Sequence, residues 1–314
     1  MTNKLSVETK NWENQTHQEW IKRVKKELKL DDLSDKVLHI DKDVIYDPYK
    51  DYSVASFSLK INNFPRQSIG MIFNPKDELS FNDQIMKLLP YDLRVIRLEL
   101  NKEMDWNAMM KGIHMNLITW IVDASDDIWH SFTDFVSNNH KNTSVLSTRN
   151  SDKGSNTISF SFIGADDYSS TEIINRLVNE TRESSAENIY LEVKIGQSLL
   201  HTITFLRAAR IAVEKNFADK KLIISAFPMV DLLESDVNQQ IIMTGSVAMQ
   251  SSMAGVDFLF PVSSSESTEI ETKRLMLNVQ NIMELESYTH KVEDPLSGSY
   301  VIDDITQQYL DTVG

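Results

Sequence analysis

Seven histidines could serve as acids, bases or metal ligands: His17, His39, His114, His130, His140, His201 and His290. None stands in an H-x-H, H-E-x-x-H or i,i+4 arrangement, so no single helix or strand carries a ready ligand pair. Cysteine is absent, which removes a thiol nucleophile, thiolate metal sites and a disulfide framework. No G-x-x-x-x-G-K-[ST] or G-x-G-x-x-G loop is present to cradle a phosphate, and no G-x-S-x-G elbow to present a serine. The remaining candidates are acids. Glu99, Asp123 and the Asp166–Asp167 pair fall at the C-terminal ends of expected strands, where barrel enzymes keep their catalytic groups. Their plainer reading is helix capping or loop solvation. Lys194, in LEVKIG, is the one lysine inside an apolar strand, and strand alternation is expected to turn it outward. The residue types alone specify no reaction.

The elements that would position these groups follow from hydrophobic period. Strand-like runs fall at 67–73, 94–100, 117–124, 143–149, 157–163, 188–195, 221–227 and 257–262. Amphipathic helical runs separate most of them, at 126–138, 170–183, 198–217 and 238–254, with a long final one at 266–288. In that last helix Leu275, Val279 and Ile282 keep helical spacing and are expected to face the barrel wall. The interval between 149 and 157 is too short for a helix. Strands alternating with helices indicate βαβ units and a parallel sheet. Eight of them fit a TIM-type (β/α)8 barrel better than a doubly wound sheet.

An earlier helix opens with a Thr16/Glu19 capping box, and Ser169/Glu172 repeats the device before 170–183. Trp20, Val24 and Leu28 form an apolar stripe, with Lys22, Arg23, Lys25 and Lys26 on the other side. Residues 1–50 precede the barrel's alternation and are expected to form an extended or helical N-terminal arm, with 51–314 as the barrel domain.

With 32 Lys and Arg against 46 Asp and Glu, the 314-residue chain has a net charge of −14. This argues against a nucleic-acid or anionic-membrane partner. Hydrophobic residues at 41% support a packed core rather than disorder. No leader or apolar run of about 20 residues is visible, so a cytoplasmic location is expected.

Five motifs, in order, resemble the methylmalonyl-CoA mutase family. Trp20, Val24, Lys26 and Leu28, then Pro48-Tyr49, fit its W-x-x-x-V-x-K-x-L and P-x-Y segments. Gly196 followed by Leu206-Arg207-Ala208-Ala209-Arg210 fits the L-R-A-A-R unit. Ala248-Met249 with Gly255-Val256-Asp257 is similar to A-M-x-x-x-x-G-G-x-D. Arg274, Asn278, Gln280, Ile282, Glu286 and Ser287 fit R-x-x-x-N-x-Q-x-I-x-x-E-E-S. Asp294, Pro295, Gly298, Ser299, Tyr300, Ile302, Asp303, Ile305 and Thr306 fit D-P-x-x-G-S-Y-x-[VI]-[ED]-x-[LI]-T. The resemblance is strongest over 188–310.

The departures from the family pattern carry as much meaning. The S-G-Y-H-x-x-E-A-G stretch of catalytic chains corresponds to 159–177, which has no histidine, and two family arginines are Met243 and Leu277 here. The cobalt-binding D-x-H-x-x-G motif is absent. The resemblance therefore implies the barrel part of a small, non-catalytic (beta-type) subunit, partnered with a large catalytic chain in a heterodimer. The holoenzyme would interconvert methylmalonyl-CoA and succinyl-CoA, as in propionate metabolism of the bacterial cytoplasm. Adenosylcobalamin would be bound by the partner chain, with no catalytic, cofactor or metal residue in this one. Trp20, Tyr46 and Tyr49 are expected to anchor the partner. Arg207, Arg210, Asn278, Asp294, Gly298, Ser299 and Tyr300 are expected to be structural, with Asp294 and Ser299 holding their turn by local side-chain to backbone bonds. The alternative is a stand-alone, repurposed barrel enzyme without cobalamin, using Asp123 or Asp166.

Overall fold

A computed structural model describes residues 16–42, 44–51, 59–140, 142–149, 157–162, 168–196, 198–228, 237–261 and 270–313. The chain divides into two compact units, Met1–Ser56 and Phe57–Gly314.

In the first unit, α1 (His17–Leu28) begins with the expected reciprocal box. Thr16 N donates to Glu19 Oε2 at 2.8 Å and Glu19 N donates to Thr16 Oγ1 at 3.3 Å. Lys29, in the left-handed region at φ 55°, ends the helix. No residue of α1 is buried. A short antiparallel hairpin follows, β1 (Leu38–Asp41) and β2 (Val44–Tyr46), irregular between His39 and Asp41.

The second unit is an α/β barrel. Its strands are β3 (Ser68–Phe73), β4 (Val95–Leu100), β5 (Thr119–Ala124), β6 (Ser144–Ser147), β7 (Thr157–Ser161), β8 (Asn188–Ile195), β9 (Lys221–Pro228) and β10 (Phe258–Leu259). All pairings are parallel, in the order β6-β5-β4-β3-β10-β9-β8-β7. The sheet nearly closes on itself. Across the remaining seam Ser159 Oγ on β7 donates to Ser147 O at the end of β6, at 2.6 Å.

The helices are α2 (Glu78–Leu88), α3 (Trp106–Met109), α4 (Asp126–Asn139), α5 (Ser170–Glu183), α6 (Leu199–Asn216), α7 (Val237–Ala254), α8 (Ile270–Ile282) and α9 (Tyr300–Asp311). The strands are buried on both faces, as parallel strands under helices must be. One face, including Ile96, Leu98, Trp120 and Val122, has the parity opposite to the barrel core. The other forms a central cluster of Val95, Ile121, Leu146, Tyr190, Ile223, Phe227 and Phe260.

Phe260 is fully buried and stacks on Phe227, ring centroids 5.2 Å apart and 17° from parallel. Gly70 on β3 makes this possible, because a Cβ there would lie 2.3 Å from Phe260 Cε1. The barrel's axis is thus filled by rings seated against bare backbone.

Two outcomes differ from the sequence expectation. The buried stripe of α8 is Thr272, Lys273, Met276, Leu277, Val279 and Gln280, while Leu275 is only half-buried and Ile282 is 52% exposed. Val279 faces inward as expected, but the helix is rotated because Gln280 is needed inside. Its Oε1 accepts from Ile69 N at 2.6 Å, a strand amide left without a ladder partner. The helix also stops at Ile282 and passes into a π-helical turn over Met283–Ser287. The second difference is α9, a helix beyond the expected elements.

Gly70→Ala should destabilise the protein by roughly 1–3 kcal/mol through overpacking. Adding Phe260→Leu should recover part of that loss in thermal or urea unfolding. Unchanged stability of Gly70→Ala would show that the rings are not seated as described.

Candidate functional site at the barrel mouth

Strand parity puts Arg97 and Glu99 of β4, Asp123 of β5, and Tyr190, Glu192 and Lys194 of β8 on the same face as the central cluster. Ser161 and Ser225 join them, beside Glu192 in register. These positions lie toward the C-terminal ends of the strands, the functional end of a barrel.

Arg97 is the hub. Its Nε donates to Glu192 Oε1 at 3.1 Å, another nitrogen reaches Asp123 Oδ2 at 3.4 Å, and a third pairs with Glu99. Its guanidinium carbon lies 5.6 Å from the centre of the Phe227 ring. Arg149, just after β6, donates to the other Asp123 oxygen at 2.8 Å. Glu192 is 1% exposed and also accepts from Ser161 Oγ at 2.9 Å and from the Tyr190 hydroxyl at 3.0 Å. That hydroxyl also lies 2.8 Å from Ser225 Oγ. Burial disfavours the Arg97 charge, but its anionic neighbours, Glu192 foremost and then Glu99, together more than offset this and the pKa rises above its ordinary value. Burial, helped by the Glu192 charge, pushes the Tyr190 phenol well up, so it stays a proton donor.

A general acid or base needs a lone pair or proton free to meet substrate. Here Glu99, Asp123 and Glu192 are each committed to an arginine. Glu99 and Asp123, expected to cap helices or solvate loops, instead bond inward to Arg97 because strand parity aims them into the barrel. Lys194, expected outward, shares the parity of Tyr190 and Glu192 for the same reason. Asp166 and Asp167 lie outside the described residues. Arg97 and Glu192 were not singled out by sequence. The available signal was two charges at alternate positions within each of two largely apolar strands, VIRLEL and NIYLEVKI. Among the described residues no group of three His, Cys, Asp or Glu side chains is placed to hold a metal.

The motif residues occupy a second cluster. Arg207 of α6 is fully buried and grips Asp294 with two nitrogens, at 2.6 and 3.1 Å, while donating to Leu59 O at 3.0 Å. Asp294 Oδ2 also accepts from Ile61 N at 3.0 Å and Oδ1 from Leu296 N at 3.2 Å. Only the last of these is the local bond expected of Asp294. Its main partners come from distant elements. Ser299 sits at the N-cap of α9 but its side chain makes no capping bond, so its expected turn-holding bond is absent. Gly298 adopts φ 85°, a conformation costly for other residues. Arg210 donates to Gly255 O, Leu222 O and, at 2.6 Å, to Asp257 Oδ2, whose carboxylate also accepts from Ile224 N. Asn278 is half-buried on α8, and Tyr300 is 51% exposed. In the first unit Trp20, 38% exposed, packs 5.9 Å from Tyr49, while Tyr46 is half-buried on β2.

The family model described as Methylmalonyl-CoA mutase matches residues 130–313, well over half of the chain. No curated protein matches. Among solved structures, the Yersinia pestis DHPS with pterine-sulfa conjugate Compound 16 is similar over 74% of this chain and 100% of its own, at 13% identity and a TM-score of 0.38.

Arg97→Met should cost about 3–5 kcal/mol, because Glu192 is left charged and buried. Arg97→Met combined with Glu192→Gln should be more stable than Arg97→Met alone in urea unfolding. A double variant no better than the single would contradict the pairing. Asp294→Ala, which strands Arg207, should cost a similar amount, and a thermal midpoint unchanged from wild type would contradict that role.

Proposed function

We propose, from the premise that this chain belongs to the methylmalonyl-CoA mutase family, that it is the non-catalytic small subunit of an adenosylcobalamin-dependent mutase in the bacterial cytoplasm. It associates with a large catalytic chain that interconverts methylmalonyl-CoA and succinyl-CoA. One observation carries the reading: the barrel is filled along its axis by Phe227 and Phe260, and its inner acids and arginines are spent on one another.

The described strands of the barrel carry no histidine, so their inward face does not fit a cobalt-ligating role. In the proposed complex the cofactor belongs to the partner and supplies the radical chemistry. This chain contributes a rigid barrel and a docking surface. Among the described residues the acids that a stand-alone enzyme would use at the mouth, Glu99 and Asp123, are both ion-paired.

Trp20, Tyr46 and Tyr49 are the proposed partner anchors, since binding energy concentrates in aromatic residues. The unburied α1, with Trp20 and Leu28 exposed beside Lys22, Arg23, Lys25 and Lys26, has the character of a helix that gains its burial from another chain. Among the described residues no helix is long and apolar enough to cross a membrane.

The purified chain, given methylmalonyl-CoA and adenosylcobalamin, should show no turnover, and should co-purify with a co-expressed large mutase chain. Turnover by this chain alone would overturn the reading. Deleting residues 1–40 should leave the barrel folded, judged by circular dichroism, and abolish co-purification. Retained binding at unchanged affinity would remove the arm's proposed role.

A further inference from the structure

Ser170 and His201 meet in the helix layer, away from the barrel axis. Ser170 is the first residue of α5 and His201 lies in the first turn of α6, and Ser170 Oγ stands 2.8 Å from His201 Nε2. Both helices start where their strands, β7 and β8, end, which is the functional end of a barrel. Both starts are fixed by caps. Ser169 closes a reciprocal box with Glu172, and Ser198 Oγ accepts from His201 N at 3.1 Å. The imidazole stacks on Phe205, ring centroids 6.0 Å apart and 22° from parallel. Phe205 is itself buried, so the plane of the imidazole has a rigid backing. With its own proton on Nδ1, His201 accepts the Ser170 hydroxyl proton at Nε2. That contact is what turns a weak hydroxyl into a nucleophile.

We propose that Ser170 and His201 are the nucleophile and general base of an acyl-transfer site for small carboxylic esters. The activity is independent of mutase chemistry and of a partner chain. Ser170 Oγ bonds to the ester carbonyl carbon while its proton passes to His201 Nε2. The bond to the alcohol oxygen then breaks, and the alcohol leaves with that proton. Water attacks the acyl-serine, giving one proton to Nε2, and the carboxylic acid departs as Ser170 recovers it. In the first turn of α5 the Thr171 N–H has no intrahelical acceptor, and it is the donor beside Ser170 that meets the developing oxyanion. Ser170 is 6% exposed and His201 half-buried, a depth that suits a short acyl group and excludes a polymer. Tyr168 and Leu199, both exposed, stand two positions before the pair at the same helix starts and offer apolar surface to the alcohol side. The filled barrel axis does not obstruct a site in the helix layer.

The test is reaction of the full chain with diisopropyl fluorophosphate, mapped by peptide mass spectrometry, together with hydrolysis of 4-nitrophenyl acetate. The expected result is a single phosphoryl adduct on Ser170, formed as fluoride leaves. Nitrophenolate release should fall about 100-fold in Ser170→Ala and in His201→Gln. A pair that only ties α5 to α6 leaves Ser170 no more reactive than the other serines. An unmodified Ser170, or hydrolysis by Ser170→Ala at the wild-type rate, would overturn the proposal. If the variants do not fold, the wild-type adduct decides. Modification of Ser170 in the native protein that is lost in urea supports the site, and equal modification in both states, or none, overturns it.

Discussion

Arg97 is the charge on which the interior of this barrel depends. It stands on β4, 7% exposed at its side chain, and meets carboxylates from β4, β5 and β8. A guanidinium at that depth is tolerable only when its donors are matched, and matching it fixes the relative positions of strands on opposite sides of the barrel. The same pairing holds the acids. Glu99, Asp123 and Glu192 occupy places where barrel enzymes hold catalytic groups, and here each is ion-paired with an arginine. Beneath them Phe227 and Phe260 close the axis, admitted by a glycine on β3. Among the described residues the barrel's axis is thus packed with side chains, as barrel interiors are.

Around that interior, two further arginines do structural work from a single helix. Arg210 joins β9 to the segment leading into β10 through three carbonyl or carboxylate partners, and Arg207 joins α6 to the loop before α9 and to segment 59–61. Both lie in LRAAR, three residues apart, which on α6 is nearly one turn. In LRAAR the two arginines stitch separate elements together at fixed spacing.

Much of the fold was legible because its causes are local. All eight barrel strands stand near their expected positions, and both capping boxes close as Thr16/Glu19 and Ser169/Glu172 imply. The helix α2 had a readable signal, with Asp77 as N-cap and Phe81, Ile85 and Leu88 as its buried stripe. What local pattern could not give is partnership over distance. Arg97 and Glu192 stand 95 positions apart, and Arg207 and Asp294 stand 87 apart. Only closure of the sheet reveals that VIRLEL and NIYLEVKI point their charges at one another. The face of α8 was misjudged for a related reason: a polar Gln280 is drawn inside by the unpaired amide of Ile69, against the apolar spacing of Leu275 and Ile282.

The most direct test of a filled, non-catalytic barrel is equilibrium binding of radiolabelled methylmalonyl-CoA to the purified chain by dialysis. A barrel closed by Phe227, Phe260 and the Arg97 ion pairs leaves no saturable binding at concentrations that saturate an active mutase. Saturable binding of the acyl-CoA, weakened by substitutions at Arg97 or Glu192, would show an accessible site at the mouth and contradict the account.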